Sequence, residues 1–175
     1  MAAMSAGAGP VSQLRTISWL HTLFAEQGIQ YWLFGGWAVD FHAGRVTRRH
    51  ADVDLAVWAA DLDRIRTLLE AEGWTSAPEP GEDGYTGYER RDVRIELAFL
   101  ARDAAGAIHT PLADGRGDWP AGSFGDEHAE VDGVVARVVG LASLLEDKSG
   151  PRADPAVAAK DRADVEVLRS LGAEG

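Results

Sequence analysis

The sequence has no cysteine. That rules out a disulfide framework and a thiolate zinc site, and it fits a cytoplasmic chain. It also lacks any apolar run long enough to span a bilayer, so no membrane partner is expected. The opening residues, MAAMSAGAG, are small and uncharged, without the basic start and apolar centre of a signal peptide. Residues 1–9 are therefore expected to form a flexible tail. Positive charge is scarce: 17 Lys and Arg stand against 28 Asp and Glu, a formal net charge of -11. A duplex nucleic-acid binder needs a basic surface to exchange for counterions, so that class is excluded. No internal repeat is present. What remains is a chain of 175 residues, 46% hydrophobic and 26% charged, enough for one well-filled core.

The acid is unevenly distributed. Residues 78–132 carry thirteen Asp and Glu against five Arg and no Lys. Such a field attracts cationic small molecules and repels polyanions. The alternative reading is a solvated surface kept soluble by charge.

The most informative stretch is Phe34 to Val57, FGGWAVDFHAGRVTRRHADVDLAV. Side chains two apart on a strand share a face. Asp52 and Asp54 therefore point to one side, and Val53, Leu55 and Val57 to the other. Paired carboxylates on a rigid strand repel each other, and a divalent cation with oxygen ligands, such as Mg²⁺, removes that cost. Further on, Val93 to Phe99 alternates, with Glu96 in mid-strand on the polar face beside Arg94. If these two strands are neighbours, three carboxylates converge on one patch.

Around this stretch the elements read in order. Leu14, Ile17, Leu20, Leu23 and Phe24 recur at helical spacing between Pro10 and Gly28. Ile29 to Phe34 is a short buried strand that stops at Gly35-Gly36, and Trp37 begins a second helix. A strand, two glycines and a helix start allow a phosphate to approach the backbone, although such a pair also serves simply to turn a chain. Gly44 to His50 is a polar loop. Its Arg45, Arg48 and Arg49 could clamp phosphates or balance nearby acid. His50 could touch substrate or hydrogen-bond within the loop.

Asp61 to Glu72 is a helix with Asp61 at its start and Gly73 at its end. Short strands are expected at Trp74 to Ala77 and Tyr85 to Arg90. Residues 101–128 read as irregular, with Trp119-Pro120 anchoring the loop or lining a pocket. Asp132-Gly133 joins a hairpin. A short helix carries Leu141, Leu144, Leu145 and Lys148, and a last helix starts at Asp154-Pro155. On that helix Asp161 and Asp164 share the inward face with Val157, Leu168 and Leu171, beside Lys160. The two aspartates need partners there. Either they form salt bridges to the loop arginines, or the functional group of this helix is Lys160, set on a phosphate.

GGWAVDFHAGRVTRRHADVDL resembles the signature of nucleotidyltransferase-fold enzymes, most closely those that adenylylate aminoglycosides at the 2'' position or modify lincosamides. That signature runs G-[GS]-W-A-[LIV]-D and then G-R-x-T-R-x-H-x-D-[IV]-D. The closing AAKDRADVEVLRSLG is similar to a K-D-x-x-D-x-x-x-L element of the same group. The resemblance implies an α+β nucleotidyltransferase (DNA polymerase β-like) fold: a mixed twisted sheet flanked by helices, with a core over residues 10–140 and a C-terminal helical segment over 141–175 completing the cleft. It implies that Asp52 and Asp54 hold two Mg²⁺ ions, with Glu96 as third metal ligand or general base. It sets Gly35 and Gly36 against the phosphates of ATP or another NTP, and makes Arg45, Arg48, Lys148 and Lys160 candidates for the triphosphate. The implied acceptor is a hydroxyl of a cationic antibiotic, an aminoglycoside first and a lincosamide second, handled by a monomer or homodimer. Two other functions share this core: a toxin-type enzyme modifying a protein or a tRNA, and an inactive nucleotide-binding module.

Overall fold

The structure is a computed structural model describing residues 8–81 and 83–173. Residues 1–7 of the expected tail lie outside the described residues. Ala8 is already buried, and its N–H donates to the Asp92 carbonyl at 3.1 Å.

Helix α1, Pro10–Gln27, opens on a proline, whose missing N–H costs nothing in a first turn, and closes on Gly28 at φ 65°. It buries Leu14, Ile17, Leu20 and Phe24. Each such side chain taken out of water contributes about 1.5–3 kcal/mol. Strand β1 is Tyr31–Phe34 and helix α2 is Gly35–Ala43. The helix begins at Gly35 rather than at Trp37, so both glycines belong to its first turn. The N–H groups of that turn have no acceptor inside the helix. After the loop come strand β2, Val53–Trp58, a 3₁₀ turn at Ala59–Asp61 and helix α3, Leu62–Ala71. Asp61 stands at the helix start as expected, but it has helical dihedral angles and its side chain caps no N–H.

Strands β3 (Thr75–Ser76), β4 (Tyr85–Arg90) and β5 (Val93–Arg102) follow. Next come β6 (Ile108–Leu112), β7 (Gly115–Asp118), β8 (His128–Val131) and β9 (Val134–Arg137). The chain ends with α4, Leu141–Lys148, and α5, Pro155–Gly172. Asp154 caps α5 by accepting from the Ala156 N–H at 2.8 Å.

Seven strands form one mixed sheet. Its main path is β1-β2-β5-β4-β3, with β6 on the end of β5 and β7 on β6. β2 and β5 run parallel and the other pairs antiparallel. The β8–β9 hairpin turns at Asp132 and Gly133, both at positive φ, and is tied to β1 through Val139 N–H to the Leu33 carbonyl. The expectation of irregular chain over 101–128 is corrected here. β5 continues to Arg102, and β6 and β7 form a hairpin at the sheet edge. Their alternation is hidden by Pro111, Gly115 and Gly117, which an edge strand tolerates and a central one does not.

Val53, Leu55, Val57, Ile95 and Leu97 pack under α1 and α3 on one side of the sheet. Ala56, Ala98 and Leu100 face the other way, toward Trp32, Trp58 and Trp119. Ala38, Val39, Leu144 and Leu168 lock α2 to α4 and α5. Among the described residues no helix is long and apolar enough to cross a membrane.

Candidate active site

Asp52 immediately precedes β2, and Asp54 lies within it. Because β2 and β5 are parallel neighbours, Asp54 sits in register with Glu96. Asp52, Asp54 and Glu96 each offer an oxygen, and these oxygens lie within 4.8 Å of one another. All three side chains are partly buried. Burial, the Asp52 charge and the Glu96 charge push the Asp54 carboxyl well above the usual carboxylate range, against the pull of Lys148 and Lys160. Burial and the Glu96 charge raise Asp52 too, opposed by Arg94 and Lys160. Three hard oxygen donors, mutually repelling and short of water, are the donor set that suits Mg²⁺.

Gly35 borders this trio. It has φ 65°, and a Cβ on it would run into Oδ2 of Asp54, so both backbone and space demand glycine. At Gly36 the missing side chain leaves room for the Arg48 guanidinium and the His50 ring. The two glycines therefore serve different neighbours, Gly35 the carboxylates and Gly36 the loop.

That loop is built around Asp40, which is fully buried in α2. Asp40 accepts from Thr47 Oγ1 and from His50 Nε2, the latter at 2.6 Å. Arg48 Nη1 lies 3.0 Å from His50 Nδ1. A guanidinium can only donate, so Nδ1 is the acceptor and Nε2 carries the proton that goes to Asp40. Gln13 Nε2 holds the His50 carbonyl at 2.9 Å, and Trp37 Nε1 donates to Gln13 Oε1 at 3.2 Å. Of the two readings left open for His50, the structure has the hydrogen bond within the loop and its helix. Sequence reasoning missed Asp40. Its signal was a carboxylate in the middle of the otherwise apolar GGWAVDFHA.

The basic candidates divide into two pairs. Arg48 grips Asp164 through Nε at 2.9 Å and Nη2 at 3.0 Å. Lys148 Nζ lies 3.0 Å from both Asp161 and Asp164, and Arg152 Nε bonds Asp161 at 2.5 Å. Burial alone would raise both aspartates, but these cations outweigh it and hold the carboxyls below the usual range. The salt-bridge reading of α5 holds for Asp164, which pairs with Arg48 of the loop, whereas the partners of Asp161 are Lys148 and Arg152, outside that loop. Arg45 and Lys160 are exposed and make no ion pair among the described residues. The charge of Lys160 is nevertheless felt at Asp52 and Asp54.

Arg94 was left unassigned by sequence reasoning. Its Nε donates to Glu96 Oε1 at 3.0 Å, its Nη1 to the Ala77 carbonyl at 3.0 Å, and its guanidinium also pairs with Glu89 and Glu79.

Beside the trio, Glu96 opens onto a cleft shared with Asp83, Tyr85 and Leu112. Tyr85 and Leu112 also line an adjoining cavity of about 300 Å³, walled by Phe34, Trp119 and Leu144 with Asp118 and Asp147. Trp119 both anchors and lines. Its Nε1 donates to Thr110 Oγ1 at 2.9 Å, and its ring stands edge-on to Phe34.

A model of the aminoglycoside-2''-adenylyltransferase family matches residues 16–166. The chain belongs to this family. Within the aminoglycoside-2''-adenylyltransferase family, a curated Escherichia coli relative, a 2''-aminoglycoside nucleotidyltransferase, is 33% identical over 60 residues, covering 33% of this chain and 34% of the relative. A Staphylococcus haemolyticus lincosamide resistance protein is 36% identical over 52 residues, covering 30% of this chain and 32% of its own. The matched stretch spans about a third of these relatives.

The solved structures extend the likeness to nearly the whole chain. Lincomycin-bound LnuA, a lincosamide antibiotic adenylyltransferase, superposes with a TM-score of 0.72 at 18% identity over 94% of this chain and 99% of its own. ANT(2'')-Ia in complex with adenylyl-2''-tobramycin gives 0.72 at 23% identity over 93% and 91%. The family member therefore has the α+β nucleotidyltransferase fold expected of it.

Proposed function

We propose that the chain transfers a nucleoside monophosphate, AMP from ATP in the first instance, to a hydroxyl of a small cationic antibiotic. The observation that carries this reading is the trio Asp52, Asp54 and Glu96, with Asp54 and Glu96 in register on two parallel strands and Asp52 just ahead of the first, within the stretch matched by the family model. Two Mg²⁺ ions bound by these carboxylates would neutralise them and stabilise charge on the attacking and leaving oxygens. Glu96 takes the proton of the acceptor hydroxyl. The hydroxyl oxygen then bonds to the α-phosphorus in line, the bond to the bridging oxygen breaks, and pyrophosphate leaves.

The N–H groups of the first turn of α2, at Gly35 and Gly36, are suited to phosphate oxygens. Exposed Arg45 and Lys160 add charge for the triphosphate. Lys148 spends two of its three donors on Asp161 and Asp164, which leaves one for a phosphate oxygen. Arg48 is committed to Asp164, His50 and the Arg49 carbonyl, and we assign it to holding the C-terminal segment, 141–175, against the cleft.

The acceptor side favours an amino sugar. Trp119, Phe34 and Tyr85 offer flat apolar faces to sugar rings, and Asp83, Asp118 and Asp147, each with one oxygen engaged by Ala113 N–H, Arg116 or Arg152, offer the other to ammonium groups. An aminoglycoside is the first choice and a lincosamide the second. ATP as donor puts the reaction in the cytoplasm.

The test is mass spectrometry of the purified protein with Mg²⁺, each of the four NTPs, and a panel of aminoglycosides and lincosamides. The expected product is a drug heavier by one nucleotide, absent with Asp54→Asn. Silence across the panel with ATP still bound would redirect the assignment to a macromolecular acceptor.

A further inference from the structure

Glu96 differs from the two aspartates in one respect. It is a longer side chain on the strand next to theirs, and without a metal it is repelled by both. A free glutamate so placed would swing away and would have to be gathered back at each turnover, at a cost in side-chain entropy. The structure instead ties one of its oxygens. Arg94 Nε holds Oε1 at 3.0 Å, with both side chains largely covered, at 17% and 22% exposure. The other oxygen, Oε2, has no partner among the described residues and is left for the reaction.

The guanidinium is itself fixed. Nη1 donates to the Ala77 carbonyl and to Glu89, each at 3.0 Å, and Nη2 meets Glu79 at 3.2 Å. Its path crosses β4 at Gly87, the residue paired with Glu96. A Cβ at Gly87 would collide with Arg94 Nη2 and with the Ala77 carbonyl, so the glycine clears the way for the guanidinium.

We propose that Arg94 is a positioning residue: it fixes the Glu96 carboxylate toward Asp52 and Asp54 and ties it to the chain at Ala77–Glu79. Glu79, Glu89 and Glu96 share this one cation, so its charge is largely spent on them and the repulsion between Asp52 and Asp54 is left for a divalent ion while the geometry of Glu96 is set. The proposal rests on the assignment of Glu96 given above.

Arg94→Met removes the tie and a positive charge together. Turnover, read as pyrophosphate release with and without acceptor, should fall about 10-fold or more, since small misplacements of a reacting group carry costs of that order. KM for the nucleotide should stay within about twofold. Mn²⁺ affinity, measured by electron paramagnetic resonance of the free ion, should be unchanged or tighter, because a competing cation has gone. Arg94→Lys should recover part of the turnover. Gly87→Ala, which removes no charge, should reproduce part of the loss by displacing the guanidinium.

Turnover of Arg94→Met within twofold of the parent would overturn the proposal. So would a loss of turnover that merely tracks falling Mn²⁺ affinity and melting temperature, which is what a role in stability alone gives. If Arg94→Met does not fold, parent-like turnover in both Arg94→Lys and Gly87→Ala overturns it. Glu96→Gln is run in parallel. Parent-like turnover there overturns the assignment of Glu96, whereas an inactive Glu96→Gln beside an unimpaired Arg94→Met overturns only the role of Arg94.

Discussion

Two clusters of acid lie close together in this molecule and are treated in opposite ways. On α5, Asp161 and Asp164 are buried among Lys148, Arg152 and Arg48, and their carboxyls sit below the usual range. On the sheet, Asp52, Asp54 and Glu96 face one another, Arg94 holds one oxygen of Glu96, and the two aspartates sit above that range. The first cluster holds the last two helices to α2 and the loop. The second is a standing repulsion that stabilises nothing without a cation. Like charges kept together against their own cost mark where a ligand is expected, and paired charges mark where the fold is tied.

The comparison breaks most sharply at Asp54. Asp54→Asn keeps the shape but supplies a poor metal ligand, and transfer should drop below detection in the mass-spectrometric assay. Glu96→Gln should cost ~10²-fold or more in turnover if Glu96 is the base. An effect of only a few-fold would leave it a metal ligand alone.

At the other cluster the loss should be of stability. Asp164→Ala leaves Arg48 and Lys148 facing each other without their shared partner, and should cost about 3–5 kcal/mol in urea unfolding. A change below about 1 kcal/mol would mean the network is incidental.

The two clusters should also respond to pH with opposite sign. Asp161 and Asp164 have folded values below the ordinary 3.8. Their contribution is present above that value and is lost as pH falls through the depressed range, so Asp164→Asn should flatten the acid limb of a melting-temperature profile. Asp54 is raised above 3.8. Its protonated form stabilises the metal-free fold below that value, and this contribution is lost as pH rises through the raised one.

Much of this was legible before any coordinates. The alternation DVDLAV and VRIEL fixed which side chains share a face, and only the adjacency of the two strands had to come from the fold. The Asp132-Gly133 turn, the Asp154 cap and the inward aspartates of α5 were equally readable, because each rests on local chemistry. Residues 108–118 were not, since an edge hairpin with Pro111 and Gly117 leaves no clean period. Nor were Arg94 and Asp40. Arg94 stands beside Glu96 on one face of β5, but what fixes its guanidinium, Ala77 and Glu79 ahead of β4, lies on another element, as does His50, beyond α2, for Asp40. Nothing in the local pattern of a strand or helix says which distant group a buried charge will meet.

The measurement closest to the central contrast is a pair of thermal melts, parent and Asp54→Asn, at neutral pH in EDTA and again in Mg²⁺. Relief of the carboxylate repulsion should make Asp54→Asn melt above the parent in EDTA, and Mg²⁺ should raise the parent but not the variant. A variant that melts below the parent in EDTA, or an equal Mg²⁺ shift in both, would contradict a trio held under repulsion for a metal.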